Sequence, residues 1–202
     1  RMLNNSGVKL YEGYGKFIDS HTIEIGDQKV TAEKILIAVG GKPFKPSQIS
    51  GIEHTITSRE IFHIQEQPKR IVIIGGGYIG VEFACILHGL GSEVTVVIRS
   101  EKILTGFDED IRAEIQMAMQ NHGIKIINNC DCDRMKIEKT DSGLKITVPT
   151  KDASEETIIA DAASLAATGR APNLADLGLE NTKVEVVNGA VAIDEYNQTA
   201  EE

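Results

Sequence analysis

Two patterns of hydrophobic and polar positions divide the chain. Residues 8–39 carry short, loosely alternating apolar runs such as "VKLYEGYGKFID" and "HTIEIG". Alternation with a period of two is typical of half-buried β-strands, and Gly26–Asp27 is a turn signal that follows the second run. We therefore predict a small β-meander that leads into a buried apolar strand at Lys34–Val39.

From Arg70 onward, apolar runs alternate with segments of helical period. "RIVIIG", "EVTVVI" and "IKIIN" predict three buried strands. A helix is expected from Tyr78 to Leu90, and a second helix is expected to start at the N-cap Asp108 and to stop at Gly123. A hairpin turning at 141–143 and a buried strand in "ASLAATG" follow. This order predicts an α/β fold with a Rossmann-like parallel sheet.

Two similar segments bracket the α/β region. "ILIAVGGKP" at Ile35–Pro43 and "SLAATGRAP" at Ser164–Pro172 each combine an apolar run with a glycine, a basic residue and a proline. Residues after the first segment are rich in Gly, Pro and Ser without periodicity, which indicates a connection or a domain boundary. Buried strands that end in glycine are common, so the similarity alone leaves coincidence open.

Composition excludes several classes of protein. The 202 residues carry a formal net charge of −9, which argues against nucleic acid as a main partner, because phosphate backbones require a basic surface. No apolar run approaches the roughly 20 residues of a membrane span, and the first residues lack the apolar region of a signal peptide. We therefore expect a cytoplasmic protein that does not bind membranes. Cys85, Cys130 and Cys132 predict free thiols, without a disulfide framework or a metal site.

Gly75, Gly77 and Gly80 form a G-x-G-x-x-G motif between an apolar strand and a helix. In such motifs the first glycine permits the tight turn, the second admits a pyrophosphate to the backbone, and the third allows close helix packing. The helix N-terminus then favours the anion. The motif predicts a dinucleotide site, and a purely structural glycine turn is the alternative.

The end of the second strand selects the coenzyme. NAD-binding folds place an acidic residue there for the ribose, whereas this chain has Arg99, which is suited to a 2′-phosphate. Arg99 therefore predicts NADPH, with a solvated loop arginine as the alternative and Glu101 as a competing charge nearby. Glu82, in the first turn of the helix, has a structural interpretation as a favourable charge at the helix N-terminus.

The stretch "GGGYIGVEFACILHGLGSEVTVVIRSEKILTGFDEDIR" resembles the NADPH-binding domain of the glutathione reductase group, within the pyridine nucleotide–disulfide oxidoreductase family. The resemblance implies strands of an incomplete FAD-binding domain at 1–40, an NADPH-binding Rossmann-like domain at 41–172, and a segment returning to the FAD-binding or central domain at 173–202. It also implies the coenzyme contacts: Tyr78 as a lid over the flavin, Glu82 near the nicotinamide, Arg99 at the 2′-phosphate, and backbone contacts from Gly76, Ile79 and Gly169.

The chain departs from this group at two positions. Many members have a second basic residue where this chain has Thr105, and many have Ala at the third glycine, Gly80. The resemblance therefore implies a weaker preference for NADPH over NADH than in those members. The Thr105 hydroxyl can donate one hydrogen bond but carries no charge.

The resemblance further implies an intact homodimeric enzyme that uses FAD and reduces glutathione disulfide. No residue of the disulfide chemistry can be assigned on this chain, because it has neither an FAD fingerprint nor a C-x-x-x-x-C pair. The fragment alone is expected to be inactive. An NAD-using relative such as dihydrolipoamide dehydrogenase, or a stand-alone dinucleotide-binding module, remains the alternative.

Overall fold

The computed structural model describes residues 2–161 and 163–201. Their elements, in chain order, are α1 Met2–Asn5, β1 Gly15–Asp19, β2 Thr22–Ile25, β3 Gln28–Thr31, β4 Gly41–Pro43, β5 Arg70–Ile74, α2 Tyr78–Gly89, β6 Glu93–Val97, α3 Glu109–Asn121, β7 Lys125–Ile127, β8 Lys136–Thr140, β9 Gly143–Pro149, β10 Glu155–Ala160, β11 Leu165–Ala166, β12 Arg170–Pro172, β13 Val186–Val187 and β14 Ala190–Val191. Short 3₁₀ turns lie at Ile52–His54, Ile61–His63, Cys132–Arg134 and Leu179–Asn181.

The chain forms two compact units. One unit combines Arg1–Lys42 with Ala171–Glu202, and the other is the continuous stretch Pro43–Arg170. The boundaries predicted from the sequence fall at 40/41 and 172/173. The chain passes between the units within β4 and β12, which pair as a two-stranded sheet.

A four-stranded parallel sheet in the order β11-β5-β6-β7 forms the centre of the continuous unit. Both of its faces are buried, which explains the unbroken apolar runs of β5 and β6. Alternate residues point to opposite faces of each strand. Ile71 and Ile73 pack on the helical side with Val81, whereas Val72 and Ile74 pack in a second cluster.

The second cluster joins the parallel sheet to an antiparallel sheet in the order β10-β9-β8. Ile146 and Val148 of β9 are fully buried there with Met135 and Ile137. The hairpin between β8 and β9 turns at residues 141–142, since Thr140 pairs with Gly143. The α/β class predicted from the sequence, with a parallel sheet and a meander, is confirmed.

Local sequence signals explain where α3 starts and ends. The Asp108 carboxylate accepts hydrogen bonds from the amides of Asp110, at 3.0 Å, and Ile111, at 3.3 Å, so it caps α3. Gly123 follows the helix with a φ of 97°, a conformation that glycine adopts without strain. Both residues act as the pattern predicted.

The discontinuous unit contains the antiparallel meander β1-β2-β3 and the hairpin β13-β14. Phe17, Leu177 and Leu179 form its small core, and the Phe17 amide donates to the Leu177 carbonyl at 2.7 Å. The meander follows the sequence prediction, and the β13–β14 hairpin turns at Asn188–Gly189, since Val187 pairs with Ala190.

The predicted buried strand at Lys34–Val39 is wrong. No described strand pairs with this segment, and only Ile35 and Ile37 pack against the small core. Leu36 is 85 % exposed. A β-strand needs a neighbour for its backbone hydrogen bonds, so the apolar run here forms an extended segment that is covered on one side. Among the residues described, no helix is long and apolar enough to cross a membrane.

Candidate functional site

The glycine loop between β5 and α2 has the geometry that its motif requires. Gly75 adopts a φ of 116°, and a Cβ there would overlap the carbonyl oxygen of Ala167. A Cβ on Gly80 would overlap the carbonyl oxygen of Gly75. These two glycines therefore allow the loop, the helix and β11 to approach closely.

Gly76 and Gly77 face different surroundings. A Cβ on Gly76 would lie 2.6 Å from Ile98 Cγ2, and its carbonyl accepts from the Leu104 amide at 2.6 Å. Gly76 is therefore packed against the segment that follows β6. Around Gly77, by contrast, an added Cβ would meet no heavy atom within 4 Å. The backbone at Gly77 lies next to open space.

The N-terminus of α2 is available to an anion. Gly77 is its N-cap, and no side chain within the described residues caps it. The first amides of a helix have no intrahelical acceptor, and the helix dipole adds positive potential at this end. Because the space beside Gly77 is open, a phosphate group can approach these amides directly.

A cavity of about 300 Å³ opens beside this helix end. Among the predicted site residues, the structure brings Gly77, Tyr78, Ile79 and Gly169 together around it. Tyr78 is 55 % exposed, so its ring is free to contact a ligand. Glu82 is exposed one turn further along α2, and residues four apart share a face of a helix. Sequence reasoning missed the remaining lining residues: Pro43, Ser58, Ala166, Ala167 and Arg170.

Gly169 is held at the cavity by contacts with Phe44. Its carbonyl accepts from the Phe44 amide at 3.0 Å, and the Thr168 hydroxyl donates to the Phe44 carbonyl at 2.5 Å. Gly169 has a φ of 123°, which a residue with a side chain adopts only with strain. The end of β11 therefore presents backbone rather than a side chain to the cavity.

Arg99 lies in a separate part of the candidate site. It is exposed after the buried Ile98, two residues beyond the end of β6. The segment that follows is fixed by α3, because Arg112 donates to the carbonyls of Ile103, at 2.8 Å, and Lys102, at 3.1 Å. Thr105 is exposed on the same segment. Neither Arg99 nor Thr105 lines the 300 Å³ cavity.

Lys151 is a second cation close to Arg99 that the sequence did not reveal. Its ammonium donates to the Arg99 carbonyl at 3.3 Å, and its amide donates to the Asn129 carbonyl at 2.9 Å. The loop between β9 and β10 carries it there, 52 residues from Arg99 in the chain. The Lys151 ammonium therefore lies against the Arg99 backbone beyond the carboxyl end of β6, and it adds a positive charge to a region in which position 105 is uncharged.

Two cysteine thiols lie on the inner side of this charged region. Cys130 belongs to the core cluster between the two sheets, and the partly buried Cys132 packs against that cluster. The neighbouring Cys130 thiol and the nearby Arg99 guanidinium lower the pKa of Cys132 to about 7. The neighbouring Cys132 thiol and burial raise the pKa of Cys130. Cys85, on the exposed side of α2, has its pKa raised by partial burial.

These features together have the layout of a dinucleotide-binding α/β unit. The glycine loop and helix N-terminus offer an anion site, the cavity flanks one side of it, and the Arg99 region follows the neighbouring strand. This is the arrangement by which parallel α/β sheets hold extended dinucleotides at the carboxyl ends of their strands.

The chain belongs to the pyridine nucleotide-disulphide oxidoreductase family, whose model matches residues 1–202. It is 51% identical to a glutathione reductase of Nostoc over 98% of the chain and 44% of that protein. It is 42% identical to the chloroplastic/mitochondrial glutathione reductase of Pisum sativum, over 98% of the chain and 35% of that protein. A mercuric reductase of Lysinibacillus sphaericus is 35% identical over 100% of the chain and 36% of its own length.

Solved structures give the same assignment. The HOCl-induced flavoprotein disulfide reductase RclA from Escherichia coli aligns with a TM-score of 0.84 and 28% identity, over 99% of this chain and 46% of that one. The chain thus has the fold of part of a flavoprotein disulfide reductase. It spans less than half the length of each of these relatives.

Proposed function

We propose that this chain is the NADPH-binding part of an FAD-dependent disulfide reductase whose substrate is glutathione disulfide. The observation that carries the proposal is the pairing of an uncapped glycine-loop helix with Arg99 at the end of the next strand. Such a reductase moves electrons from NADPH to flavin and then to a disulfide. The described residues of this chain would bind the NADPH.

The residues around the glycine loop fit the pyrophosphate and nicotinamide end of the coenzyme. Open space at Gly77 admits a phosphate to the amides of α2. Tyr78, Ile79 and Gly169 surround the adjoining cavity, and Glu82, four residues after Tyr78 in α2, lies on the same helical face. We infer that Tyr78 and Glu82 contact the nicotinamide end, as the family resemblance implies.

The region beyond β6 fits the adenosine 2′-phosphate. A guanidinium binds phosphate through two parallel hydrogen bonds, and an ammonium nearby adds positive potential. Arg99 is exposed, and the Lys151 ammonium lies 3.3 Å from its carbonyl oxygen. We infer that Arg99 binds the phosphate and that Lys151 replaces the charge that Thr105 lacks.

The remaining parts of the proposal are supported by relatives rather than by a site on this chain. Glutathione reductases from a cyanobacterium and a plant are 51% and 42% identical to it, which favours glutathione disulfide as substrate. We infer FAD and a homodimer for the intact enzyme on the same support. In this proposal, the discontinuous unit is part of the FAD-binding domain.

Calorimetric titration with NADPH and NADH tests the coenzyme assignment. Arg99→Glu removes the cation and adds a repelling charge. A charge-assisted hydrogen bond contributes about 1.5–3 kcal/mol, so NADPH should bind roughly 10- to 150-fold more weakly to this variant. NADH binding should change little. Lys139→Glu, an identical charge change at an exposed position of β8, is the matched control.

Each outcome of the titration has a separate meaning. Equal affinity of the wild type for the two coenzymes would favour an NAD-using relative such as dihydrolipoamide dehydrogenase. Loss of NADPH affinity in Lys139→Glu as well would indicate a general charge effect. Thr105→Arg adds the second cation of the group and should tighten NADPH selectively, and an unchanged affinity would contradict that expectation.

A further inference from the structure

Cys130 and Cys132 form a dithiol that the proposed function does not use. We propose that this pair is an oxidation site, at which a peroxide converts the two thiols into a Cys130–Cys132 disulfide. The pair is separated by one residue, and both side chains lie at the same place: Cys130 belongs to the core cluster between the two sheets, and Cys132 packs against that cluster. The two sulfurs can therefore join after small local movement.

The surroundings give the two thiols different roles. Cys130 is 1% exposed and packs in the core between the two sheets, and its amide donates to the Ile98 carbonyl at 2.9 Å. Cys132 is only partly buried and begins the 3₁₀ turn Cys132–Arg134. A peroxide molecule can therefore reach Cys132 from solvent, whereas Cys130 reacts only with its neighbour.

Electrostatics make Cys132 the attacking sulfur. The neighbouring Cys130 thiol and the Arg99 guanidinium lower the pKa of Cys132, so its thiolate fraction at neutral pH is higher than that of an ordinary cysteine. The thiolate is the nucleophilic form of cysteine. The neighbouring Cys132 thiol and burial keep Cys130 protonated until it reacts.

The reaction balances without any further reductant or metal. The Cys132 thiolate attacks one peroxide oxygen, an S–O bond forms, the O–O bond breaks, and the leaving hydroxide takes a proton to become water. The Cys130 sulfur then attacks Cys132, an S–S bond forms, and the S–O bond breaks. The second hydroxide takes the Cys130 proton. Two thiols lose two electrons and two protons, and hydrogen peroxide becomes two waters.

Metal binding is a weaker interpretation of the pair. Among the residues whose positions the structure describes, no group of three or more His, Cys, Asp or Glu side chains could hold a metal ion. Two cysteines alone leave the coordination of most metals incomplete. A two-electron oxidation needs only the two thiols and the peroxide that accepts the electrons.

The site lies beside Arg99, and a consequence follows that rests on the proposed function. A phosphate bound at Arg99 would bring negative charge close to Cys132 and raise its pKa, which decreases the thiolate fraction. By linkage, ligand binding and thiol ionisation oppose each other to the same extent. A 2′-phosphorylated nucleotide should therefore slow oxidation of Cys132, and a nucleotide without that phosphate should not.

Peptide mapping after hydrogen peroxide treatment tests the oxidation site. Trypsin releases both cysteines in one peptide, 126–134, and Cys85 in another, 71–99. We expect the first peptide to lose two hydrogens while the Cys85 peptide keeps its thiol. Cys132→Ser should prevent the reaction. Cys130→Ala should stop it at a sulfenic acid, which dimedone traps at Cys132.

Further variants separate the steps. Cys85→Ser is the control and should leave the 126–134 disulfide unchanged. Arg99→Gln should slow oxidation several-fold at pH 7, and the wild-type rate should rise as pH passes through about 7. The proposal is overturned if peptide 126–134 keeps both thiols while the Cys85 peptide is oxidised, or if Cys130→Ala and wild type give the same products.

Adding 2′,5′-ADP or 5′-AMP during oxidation tests the coupling. Slower oxidation with 2′,5′-ADP alone supports it, and equal rates despite binding overturn it. Calorimetry on the same sample reports binding independently. If 2′,5′-ADP does not bind, the proposed function fails and the coupling fails with it, whereas the mass of peptide 126–134 still decides whether the dithiol is an oxidation site.

Discussion

Gly77 is the position at which coenzyme binding can be separated from folding. Gly77→Ala adds a single methyl group at the N-cap of α2. The φ of −73° and ψ of 176° at this residue are accessible to alanine. The added Cβ would meet no heavy atom within 4 Å, so the protein itself accommodates it.

The expected changes in free energy differ for folding and for binding. Alanine is a slightly poorer N-cap than glycine, so the free energy of unfolding should fall by about 0.5 kcal/mol. The methyl group occupies the space through which a phosphate approaches the helix amides. Loss of one charge-assisted hydrogen bond costs about 1.5–3 kcal/mol, which weakens NADPH roughly 10- to 150-fold.

Gly80→Ala, at the third glycine of the same motif and inside α2, is the matched control. Its Cβ would come closer than 3.0 Å to the backbone oxygen of Gly75, so α2 has to move away from the loop. Overpacking of this kind costs about 1–3 kcal/mol. Gly80→Ala should therefore clearly lower both the melting temperature and the coenzyme affinity, whereas Gly77→Ala should lower the affinity with only a small decrease in melting temperature.

Thermal unfolding without coenzyme, followed by calorimetric titration with NADPH, measures both quantities for each variant. Wild-type NADPH affinity in Gly77→Ala would refute the inference that a phosphate passes over this residue. A melting temperature as low as that of Gly80→Ala would refute the steric reasoning.

Three further predictions concern stability. Asp161→Asn should cost about 1–3 kcal/mol, because the carboxylate accepts from the amides of Lys69 at 2.7 Å and Arg70 at 2.9 Å and pairs with the Arg70 guanidinium. These hydrogen bonds, that of the Arg70 amide first, lower the pKa of Asp161. The contribution of Asp161 to the free energy of unfolding should therefore be complete above the ordinary pKa range of carboxylates and be lost as the pH falls through the lowered pKa. A difference between wild type and variant in urea unfolding that does not change with pH would contradict this. Asp108→Ala should cost about 1 kcal/mol through loss of the α3 cap, and Asp108→Asn should retain most of that stability in the same assay. Leu165→Ala, at a site with 0% exposure, should cost about 2–5 kcal/mol, and Leu165→Met less than about 1.5 kcal/mol, so similar losses in both would argue against a tightly packed core.

The continuous unit was predictable because its signals are local. The apolar runs of β5 and β6 reflect burial on both faces of a parallel sheet, and the glycine loop follows from three residues at fixed spacing. Asp108 and Gly123 mark α3 for similarly local reasons. Such signals depend only on residues a few positions apart in the sequence, so they can be recognised without knowledge of the tertiary structure.

The wrong prediction at Lys34–Val39 has a physical origin. An apolar run reports that some of its residues are covered, but it does not report whether a neighbouring strand is present to pair with the backbone. Ile35 and Ile37 are half-buried against Phe17, and Leu36 faces solvent. A segment buried on one side therefore has the same run of apolar residues as a strand buried within a sheet.

The charged region beyond β6 was only partly predictable. Arg99 is recognisable because it stands at a fixed distance from the glycine motif. Lys151 comes from a loop 52 residues later, and only the folding of β8–β10 brings it to Arg99. The sequence predicted free thiols at 130 and 132, and both are free, but their common position at the core between the two sheets depends on the tertiary structure.

The discontinuous unit has a consequence for the order in which the protein forms during synthesis. Its core joins Phe17 from the first segment to Leu177 and Leu179 from the second, with residues 43–170 between them. The ribosome therefore delivers the whole continuous unit before the partners of Phe17 emerge. Closing a loop of more than a hundred residues costs on the order of 4 kcal/mol if that loop is a flexible chain. If the continuous unit folds first, the flexible loop is replaced by the distance between the two ends of that folded unit. The entropic cost of bringing Phe17 to Leu177 and Leu179 is then lower.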